Sequence, residues 1–216
     1  MAGASKADGD PYFPATAMPD REWWQALWPD PEGTLRKVGA RPGTRVIDLC
    51  CGDGYFTAPL ARLVASGEVI ALDLSPEMLR QARAEAAAQG VDNVTFLEGD
   101  ARDLPRLVSG TVDQVLIANT FHGVPDQTGL ARAVRQVLKP GGRFVVINWY
   151  PIPREQTTVL GAPRGPRTDM RMTPGSVLDA ARPAGFEQLQ VVDLPPFHYG
   201  ILLAPACAVF APEAFP

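Results

Sequence analysis

RVIDLCCGDGYFT, residues 45–57, joins a predicted buried strand to a predicted helix through a tight glycine turn. The strand covers residues 46–49 and carries an acid, Asp48, near its end. Gly52 and Gly54 bracket the turn, and apolar residues at helical spacing follow at Phe56, Leu60, Leu63 and Val64. An open α/β sheet uses such a turn to present a small charged ligand at the N-terminus of a helix.

The composition is that of an ordinary globular chain. It has 216 residues, of which 46% are hydrophobic and 20% are charged, enough for one α/β domain with a core. The formal net charge of −4 offers no broad basic surface, so neither nucleic acid nor an anionic membrane is expected as a main partner. No apolar run approaches the roughly 18 residues of a membrane span.

The compartment is predicted from the cysteines and the N-terminus. The three cysteines, Cys50, Cys51 and Cys207, are an odd number with two adjacent members, which is not a disulfide framework. The opening run MAGASKADGDPYFP lacks the apolar stretch of a signal peptide. A reducing, cytoplasmic location is therefore expected.

Residues 44–149 are poor in proline and predict a strict alternation of strands and helices. Helices are expected after Ser75, which caps the run that ends near Gly90, and after Asp126, where the KPGG run of residues 139–142 stops the helix. The predicted strands cover residues 46–49, 68–72, 94–97, 112–118 and 143–148. Such alternation indicates a mostly parallel sheet with helices on both faces.

The last third of the chain has a different pattern. Residues 151–173 are predicted to form a long loop, followed by a helix over about 175–184. Two strands, 187–194 and about 199–204, are joined by the short run PPFH, which permits only an antiparallel pair. The predicted fold is therefore α/β, doubly wound in three layers, with a C-terminal antiparallel hairpin at the sheet edge.

Three features of the glycine turn and the strands beside it indicate the kind of cofactor. A dinucleotide fingerprint would place its third glycine at Thr57, so a pyrophosphate is not supported, and Asp48 and Asp53 would repel it. Asp73 ends the second strand, where a carboxylate accepts ribose hydroxyls. Asp100 ends the third strand, where a carboxylate suits an exocyclic purine amine.

Five runs together resemble a known motif set. VIDLCCGDGYFT, ALDLSPEML, FLEGDARDLP, VDQVLIANTFHGV and LKPGGRFVVINW are similar in order and spacing to the motifs of class I S-adenosylmethionine-dependent methyltransferases, over about residues 34–195. Within that family the small-molecule enzymes of the ubiquinone/menaquinone type are the most similar. The resemblance implies a Rossmann-like sheet of seven strands with the last antiparallel. It also implies S-adenosyl-L-methionine as cofactor and a small-molecule methyl acceptor.

The resemblance implies that one group of residues binds the methionine end of this cofactor. Asp48, Gly52 and Gly54 would frame it, with Cys50 beside them. Asn119 would border the sulfonium and the amino-acid end. Cys50 stands where the family usually has glycine, and the bulkier side chain is expected to shift the turn or to narrow the entry of the cofactor.

A second group is implied for the nucleoside end. Asp73 would accept from the ribose hydroxyls, and Leu74 and Met78 would pack on the adenine. Asp100 would accept from the adenine amine, with Ala101 beside it. The amino-methylating motif of the nucleic-acid enzymes is missing after the fourth strand.

The chemistry is expected at the carboxyl ends of the parallel strands. Methyl transfer is a direct displacement that depends on alignment, and a base is needed only if the nucleophile arrives protonated. His122, His198 and Tyr150 are the predicted catalytic candidates at this edge, where Asn148 and Trp149 also emerge. The alternatives are that His122 caps a helix or binds a backbone carbonyl, that His198 is a solvated turn residue, and that the aromatic residues belong to the core or its rim.

Residues 1–33 are predicted to form an N-terminal arm, separate from a methyltransferase domain over 34–216. The arm carries the aromatic residues Tyr12, Phe13, Trp23, Trp24 and Trp28. Either it packs on the domain as a hydrophobic clip, or it closes over the site as a lid whose rings attract a sulfonium. The assembly is expected to be a monomer or a homodimer.

Other readings of the sequence stay open at this point. Cys50 and Cys51 are read as small buried side chains rather than a metal or metalloid site, because no C-x-x-C or nearby histidine accompanies them. Four arginines after the fifth strand either are solvated or receive an anionic substrate group: Arg154, Arg164, Arg167 and Arg171. The rival functions are a nucleotide-dependent oxidoreductase and a non-catalytic module that binds S-adenosylmethionine. The atom methylated, whether oxygen, nitrogen, carbon or sulfur, is not indicated.

Overall fold

The computed structural model describes Phe13 and residues 18–206. The helices are α1 Arg21–Leu27, α2 Pro31–Lys37, α3 Thr57–Val64, α4 Pro76–Ala88, α5 Leu104–Leu107, α6 Gln127–Val137 and α7 Pro174–Ala181. The strands are β1 Arg45–Leu49, β2 Glu68–Asp73, β3 Val94–Glu98, β4 Val112–Ala118, β5 Leu138–Trp149, β6 Thr158–Val159, β7 Ala162–Pro163, β8 Phe186–Leu194 and β9 His198–Pro205.

Seven strands form one sheet in the order β3-β2-β1-β4-β5-β9-β8. The first five run parallel, and β9 runs antiparallel to both β5 and β8. The predicted sheet and its C-terminal hairpin are therefore confirmed. The hairpin folds back so that β9, the last strand of the described residues, lies inside the sheet and β8 forms the edge.

The core lies in two layers, one on each face of the sheet. Alternate residues of β1 and β2 supply the two layers: Val46 and Val69 pack with α2 and α3, and Ile47 and Ile70 pack toward α6. The central strands are apolar on both faces because helices cover both, as a parallel sheet requires. No helix of the described residues is both long and apolar enough to cross a membrane.

The predicted helix starts are confirmed by their caps. The hydroxyl of Ser75 accepts a hydrogen bond from the backbone N–H of Met78 at 3.3 Å. The carboxylate of Asp126 accepts from the backbone N–H of Gly129 at 2.8 Å. Each side chain satisfies one of the N–H groups that a helix leaves without an internal partner, which explains why α4 and α6 start directly after these two N-cap residues.

The KPGG run, residues 139–142, has a second role besides following the end of α6. Helix α6 already ends at Val137, and the next residue, Leu138, pairs with Val112 as part of β5. The register then jumps, so that Gln114 pairs with Arg143. The run thus follows directly on the end of the helix and in addition forms a bulge within β5, where Gly141 adopts a positive φ of 75°.

Residues 151–173 are more ordered than the predicted loop. They contain the small hairpin of β6 and β7. The buried guanidinium of Arg171 donates to the carbonyls of Ile152 at 2.8 Å, Arg164 at 3.0 Å and Pro166 at 3.2 Å, and to the hydroxyl of Thr157 at 2.9 Å. One side chain therefore organises a segment whose local sequence, rich in proline and polar residues, predicts no regular structure.

Candidate active site

The glycine turn lies at the carboxyl ends of β1 and β2. The backbone N–H of Gly52 donates to the carboxylate of Asp73 at 2.9 Å, which ties the turn to β2. Gly52 and Gly54 have positive φ values of 57° and 82°. A Cβ on Gly54 would lie 2.9 Å from the Cα of Ala82, so a glycine is needed both for the backbone conformation and for the close approach of α4.

Cys50 also adopts a left-handed conformation, with φ at 59°. This conformation costs a residue with a Cβ about 1–2 kcal/mol, a cost that glycine would not carry. Burial raises the pKa values of the Cys50 and Cys51 thiols well above their ordinary value, so both stay protonated. No group of metal-ligating residues occurs in the described part of the chain.

Asp48 is a buried acid near the end of β1, just before the glycine turn. Its carboxylate accepts a hydrogen bond from the hydroxyl of Thr57 at 2.6 Å, and no basic side chain among the described residues forms an ion pair with it. Burial, and to a lesser degree the charges of Asp73 and Asp53, raise the pKa of Asp48 to about 6. A cationic group bound beside the turn would stabilise the ionised form.

The predicted nucleoside-binding residues lie along the same edge, where β2 and β3 end in register. One oxygen of Asp73 also accepts from the backbone N–H of Ser75 at 2.9 Å. Asp100 accepts from the guanidinium of Arg102 at 2.9 Å and 3.0 Å, which lowers the pKa of Asp100. The three apolar members are partly or fully buried there: Leu74, Met78 and Ala101.

Asn119 follows β4 and carries a buried amide. Its φ of 57° is left-handed, and its backbone N–H donates to the carbonyl of Ile147 at 2.9 Å. Neither the oxygen nor the nitrogen of its side chain has a hydrogen-bond partner among the described residues. Leaving buried polar atoms unpaired costs about 1–3 kcal/mol each. The amide therefore fits a polar ligand at this edge of the sheet.

His122 lies in the turn after β4 and contacts the end of β5. Its ring is buried, and Nδ1 lies 3.1 Å from Oδ1 of Asn148. Asn148 has no exposed surface and was given no role by the sequence. The sequence feature that could have indicated Asn148 is its position as the single polar residue in the apolar run VVINW. This run belongs to the strand beside the one that leads to His122.

His198 lies on the opposite face of the sheet. It is fully buried, with its ring centre 4.0 Å from that of Trp149 and 4.5 Å from that of Trp28. Burial lowers the pKa of His198 well below its ordinary value, and the charge of Arg171 adds to the effect. The expectation of a solvated turn histidine is wrong, and a base at this position is not supported, because the neutral ring is enclosed by tryptophans.

Trp149 ends β5 and Tyr150 follows it, and the two side chains pack against opposite layers of the core. Trp149 is 1% exposed and belongs to the core, and the guanidinium of Arg171 lies 4.9 Å from its ring centre. Tyr150 is half-buried on the same side as Asn148, and burial raises its pKa. The structure thus groups Tyr150 with His122 by face, and Trp149 with the enclosed His198.

The N-terminal arm contacts the glycine turn through two residues. The sulfur of Met18 lies 2.7 Å from the position of a Cβ on Gly52. Arg21 pairs with Asp53 at 3.2 Å and with Glu85 of α4 at 2.5 Å. A groove of about 630 Å³ opens beside these contacts and is lined in part by Met78.

The tryptophans of the arm are mostly core residues. Trp24 and Trp28 are buried and pack against Phe56 of the domain. This packing agrees with the interpretation of the arm as a hydrophobic clip. The expected boundary between residues 33 and 34 falls inside α2. Two residues of interest, Tyr12 and Cys207, lie outside the described residues.

Comparisons with known proteins all point to methyltransferases. Residues 40–162 match the family described as "Methyltransferase domain". The chain is 39% identical over 115 residues to the demethylmenaquinone methyltransferase of Lactococcus lactis, covering 53% of this chain and 45% of that protein. It is 41% identical over 118 residues to the ubiquinone/menaquinone biosynthesis C-methyltransferase UbiE of Pasteurella multocida, covering 54% and 44%. The chain thus spans less than half the length of these two relatives.

A solved structure extends the similarity across most of the fold. The S-adenosylmethionine-dependent methyltransferase from Aquifex aeolicus superposes with a TM-score of 0.73 at 25% identity, covering 85% of this chain and 93% of that one. The chain therefore belongs to the methyltransferase domain family and has the fold of its class I S-adenosylmethionine-dependent members.

Proposed function

We propose that this chain transfers a methyl group from S-adenosylmethionine to a small aromatic acceptor of the quinol type. The observation that carries the proposal is the buried amide of Asn119, whose two polar atoms lack partners in the described structure, at the edge where the glycine turn and Asp48 converge. The names of the two relatives above, one a demethylmenaquinone and one a ubiquinone/menaquinone methyltransferase, support the class of acceptor.

In this proposal, different residues of the chain bind different parts of the cofactor. Asp48 and Asn119 hold the charged amino-acid end, because a buried carboxylate without a basic partner favours an ammonium group. Asp73 accepts from the ribose while it holds Gly52 in place. Asp100 accepts from the adenine amine. When bound, the cofactor supplies an electrophilic methyl group on a sulfonium.

The acceptor side of the reaction depends on orientation and on one proton. A quinol must lose a proton as its ring is methylated, and the strand-end loops hold it in line. Of the three candidates, His122 is the proposed base, because it lies at the end of β4 and contacts a polar partner. Tyr150, which follows β5 and packs on the same face of the sheet as Asn148, is proposed to help position the acceptor. His198 is proposed to be structural.

The N-terminal arm is proposed to be the lid of the cofactor site. Met18 covers the glycine turn, and the ion pairs of Arg21 hold α1 against Asp53 and α4. The tryptophans behind Met18 act as the clip that fixes the arm to the domain. Clip and lid are thus two parts of the same segment.

A turnover assay tests the proposed function. The purified chain is incubated with S-adenosylmethionine and a demethylmenaquinone with a short isoprenoid tail, reduced to its quinol, and the methylated product is detected by mass spectrometry. The proposal expects product with the quinol and none with the oxidised quinone. Binding of S-adenosylhomocysteine without turnover on quinols, phenols, amines or thiols would favour a non-catalytic module instead.

A further inference from the structure

Asn148 and His122 form a buried polar pair on one face of the sheet. Oδ1 of Asn148 lies 3.1 Å from Nδ1 of His122 and 3.1 Å from the backbone nitrogen of Trp149. Asn148 has no exposed surface, and its neighbours along β5 from Phe144 to Ile147 are all buried apolar residues. A polar side chain in such a strand is costly unless it is hydrogen-bonded, so the pair needs an explanation.

The contacts of this one oxygen decide where the ring proton sits. The backbone N–H of Trp149 can only donate, so the amide atom facing it must be the acceptor oxygen of Asn148 rather than its nitrogen. Toward His122, the same oxygen can act only as the acceptor of a hydrogen bond. Nδ1 of His122 must therefore carry a hydrogen, and in the neutral ring Nε2 is then the nitrogen with the lone pair.

We propose that Asn148 is a positioning residue that holds His122 in the Nδ1–H tautomer, so that Nε2 takes the proton of the acceptor. The inference rests on the proposed function. In this step the O–H bond of the acceptor breaks, its proton forms an N–H bond at Nε2, and the electron pair stays on the acceptor oxygen. The imidazolium that results donates from Nδ1 to the oxygen of Asn148, which stabilises its positive charge.

A purely structural role for Asn148 makes a different prediction. If Asn148 only caps the N–H of Trp149, its replacement changes stability and leaves the histidine tautomer as it was. If it positions His122, the tautomer changes as well. The chain has two histidines, so nitrogen NMR of protein labelled with ¹⁵N-histidine reads the two rings separately, and His122→Gln assigns them.

The NMR experiment is performed on the full chain without acceptor, at a pH where both rings are neutral. We expect wild-type His122 as the Nδ1–H tautomer, Asn148→Asp to retain it, and Asn148→Leu to shift it toward Nε2–H. Asn148→Asp serves as the conservative variant because a carboxylate still accepts from both donors. A wild-type Nε2–H tautomer, or an unchanged tautomer in folded Asn148→Leu, would overturn the inference.

Kinetics with the same quinol complete the test. Asn148→Leu is expected to lower kcat about 10- to 100-fold, with the Kd for S-adenosylhomocysteine within about twofold of wild type, and Asn148→Asp to restore most of the rate. A shifted tautomer with unchanged kcat would contradict the role of Nε2. Absence of turnover in the wild type would overturn the proposed function, while the NMR result still decides whether Asn148 holds the ring.

Discussion

The carboxylate of Asp73, at the end of β2, accepts a hydrogen bond of 2.9 Å from the backbone N–H of Gly52 in the turn after β1. The residue proposed to bind the ribose therefore also holds the loop proposed to bind the methionine end. Its second oxygen accepts a hydrogen bond from the N–H of Ser75, the N-cap residue of α4. The two halves of the cofactor site are coupled through one side chain.

Replacement of Asp73 should affect both binding and stability. Asp73→Ala is expected to weaken S-adenosylhomocysteine binding about 100-fold and to lower the free energy of unfolding by about 1–3 kcal/mol, because two N–H donors and a buried ribose lose their acceptor. Calorimetric titration and urea unfolding measure the two effects. Asp126→Ala is the matched control, since it also removes a carboxylate from a helix start and should cost about 1 kcal/mol with no change in affinity.

Burial of Asp48 should make the unliganded protein less stable as the pH rises. The raised pKa means that the unfolded chain loses this proton near pH 4 and the folded chain near pH 6, so stability falls across that window and stays low above it. Asp48→Asn should therefore raise the free energy of unfolding by about 2–3 kcal/mol at pH 8 and by little at pH 4. Denaturant unfolding at the two pH values measures this.

The same Asp48→Asn variant should bind S-adenosylhomocysteine more weakly, by about tenfold or more, because the amide does not attract its ammonium group. A gain in stability with full affinity would mean that Asp48 does not contact the cofactor. A loss of stability at pH 8 would mean that the carboxylate is paired in the folded protein.

Gly54 is required for the approach of α4 as well as for its backbone conformation. Gly54→Ala is expected to lower the free energy of unfolding by about 2–4 kcal/mol, since the new methyl group meets Ala82 at 2.9 Å and φ is positive. Gly90→Ala is the control, because its φ of 67° is also positive while nothing lies within 4 Å. It should cost about 1 kcal/mol, and equal costs for the two variants would argue against close packing at the turn.

Arg171 should hold residues 151–173 together. Arg171→Met removes the donors of four hydrogen bonds in a buried site and is expected to cost about 3 kcal/mol and to expose the segment to limited proteolysis. Arg167→Met, which removes an exposed pair with Asp169, should change stability by less than about 0.5 kcal/mol. If both variants resist protease equally, Arg171 does not organise the segment.

The parallel strands and the acids at their ends were predictable because they depend on local pattern. Apolar runs bounded by glycine and acidic residues mark β1 to β4, and carboxyl ends of parallel strands meet at one edge. The edge position of Asp48, Asp73 and Asp100 follows from those two facts alone. Their roles toward a cofactor stay predictions.

The contacts that cross the fold were not predictable. Asn148 contacts His122 because β5 pairs beside β4 in a register that brings the end of one strand next to the turn after the other. A single polar residue in an apolar strand does not predict this contact. His198 looked exposed because it follows a short turn, but β9 lies inside the sheet and Trp28, from the other end of the chain, covers it. Arg171 organises its segment mainly by donating to backbone carbonyl groups. Every residue has such a carbonyl, so the sequence carries no pattern that predicts these contacts.

Calorimetric titration of the wild-type chain with S-adenosylhomocysteine and, separately, with NAD tests most directly whether the edge formed by the glycine turn, Asp73 and Asn119 is an S-adenosylmethionine site. The expected result is one site per chain with a micromolar Kd for S-adenosylhomocysteine and no measurable heat with NAD. Tight binding of NAD without binding of S-adenosylhomocysteine would contradict the account and favour a nucleotide-dependent oxidoreductase.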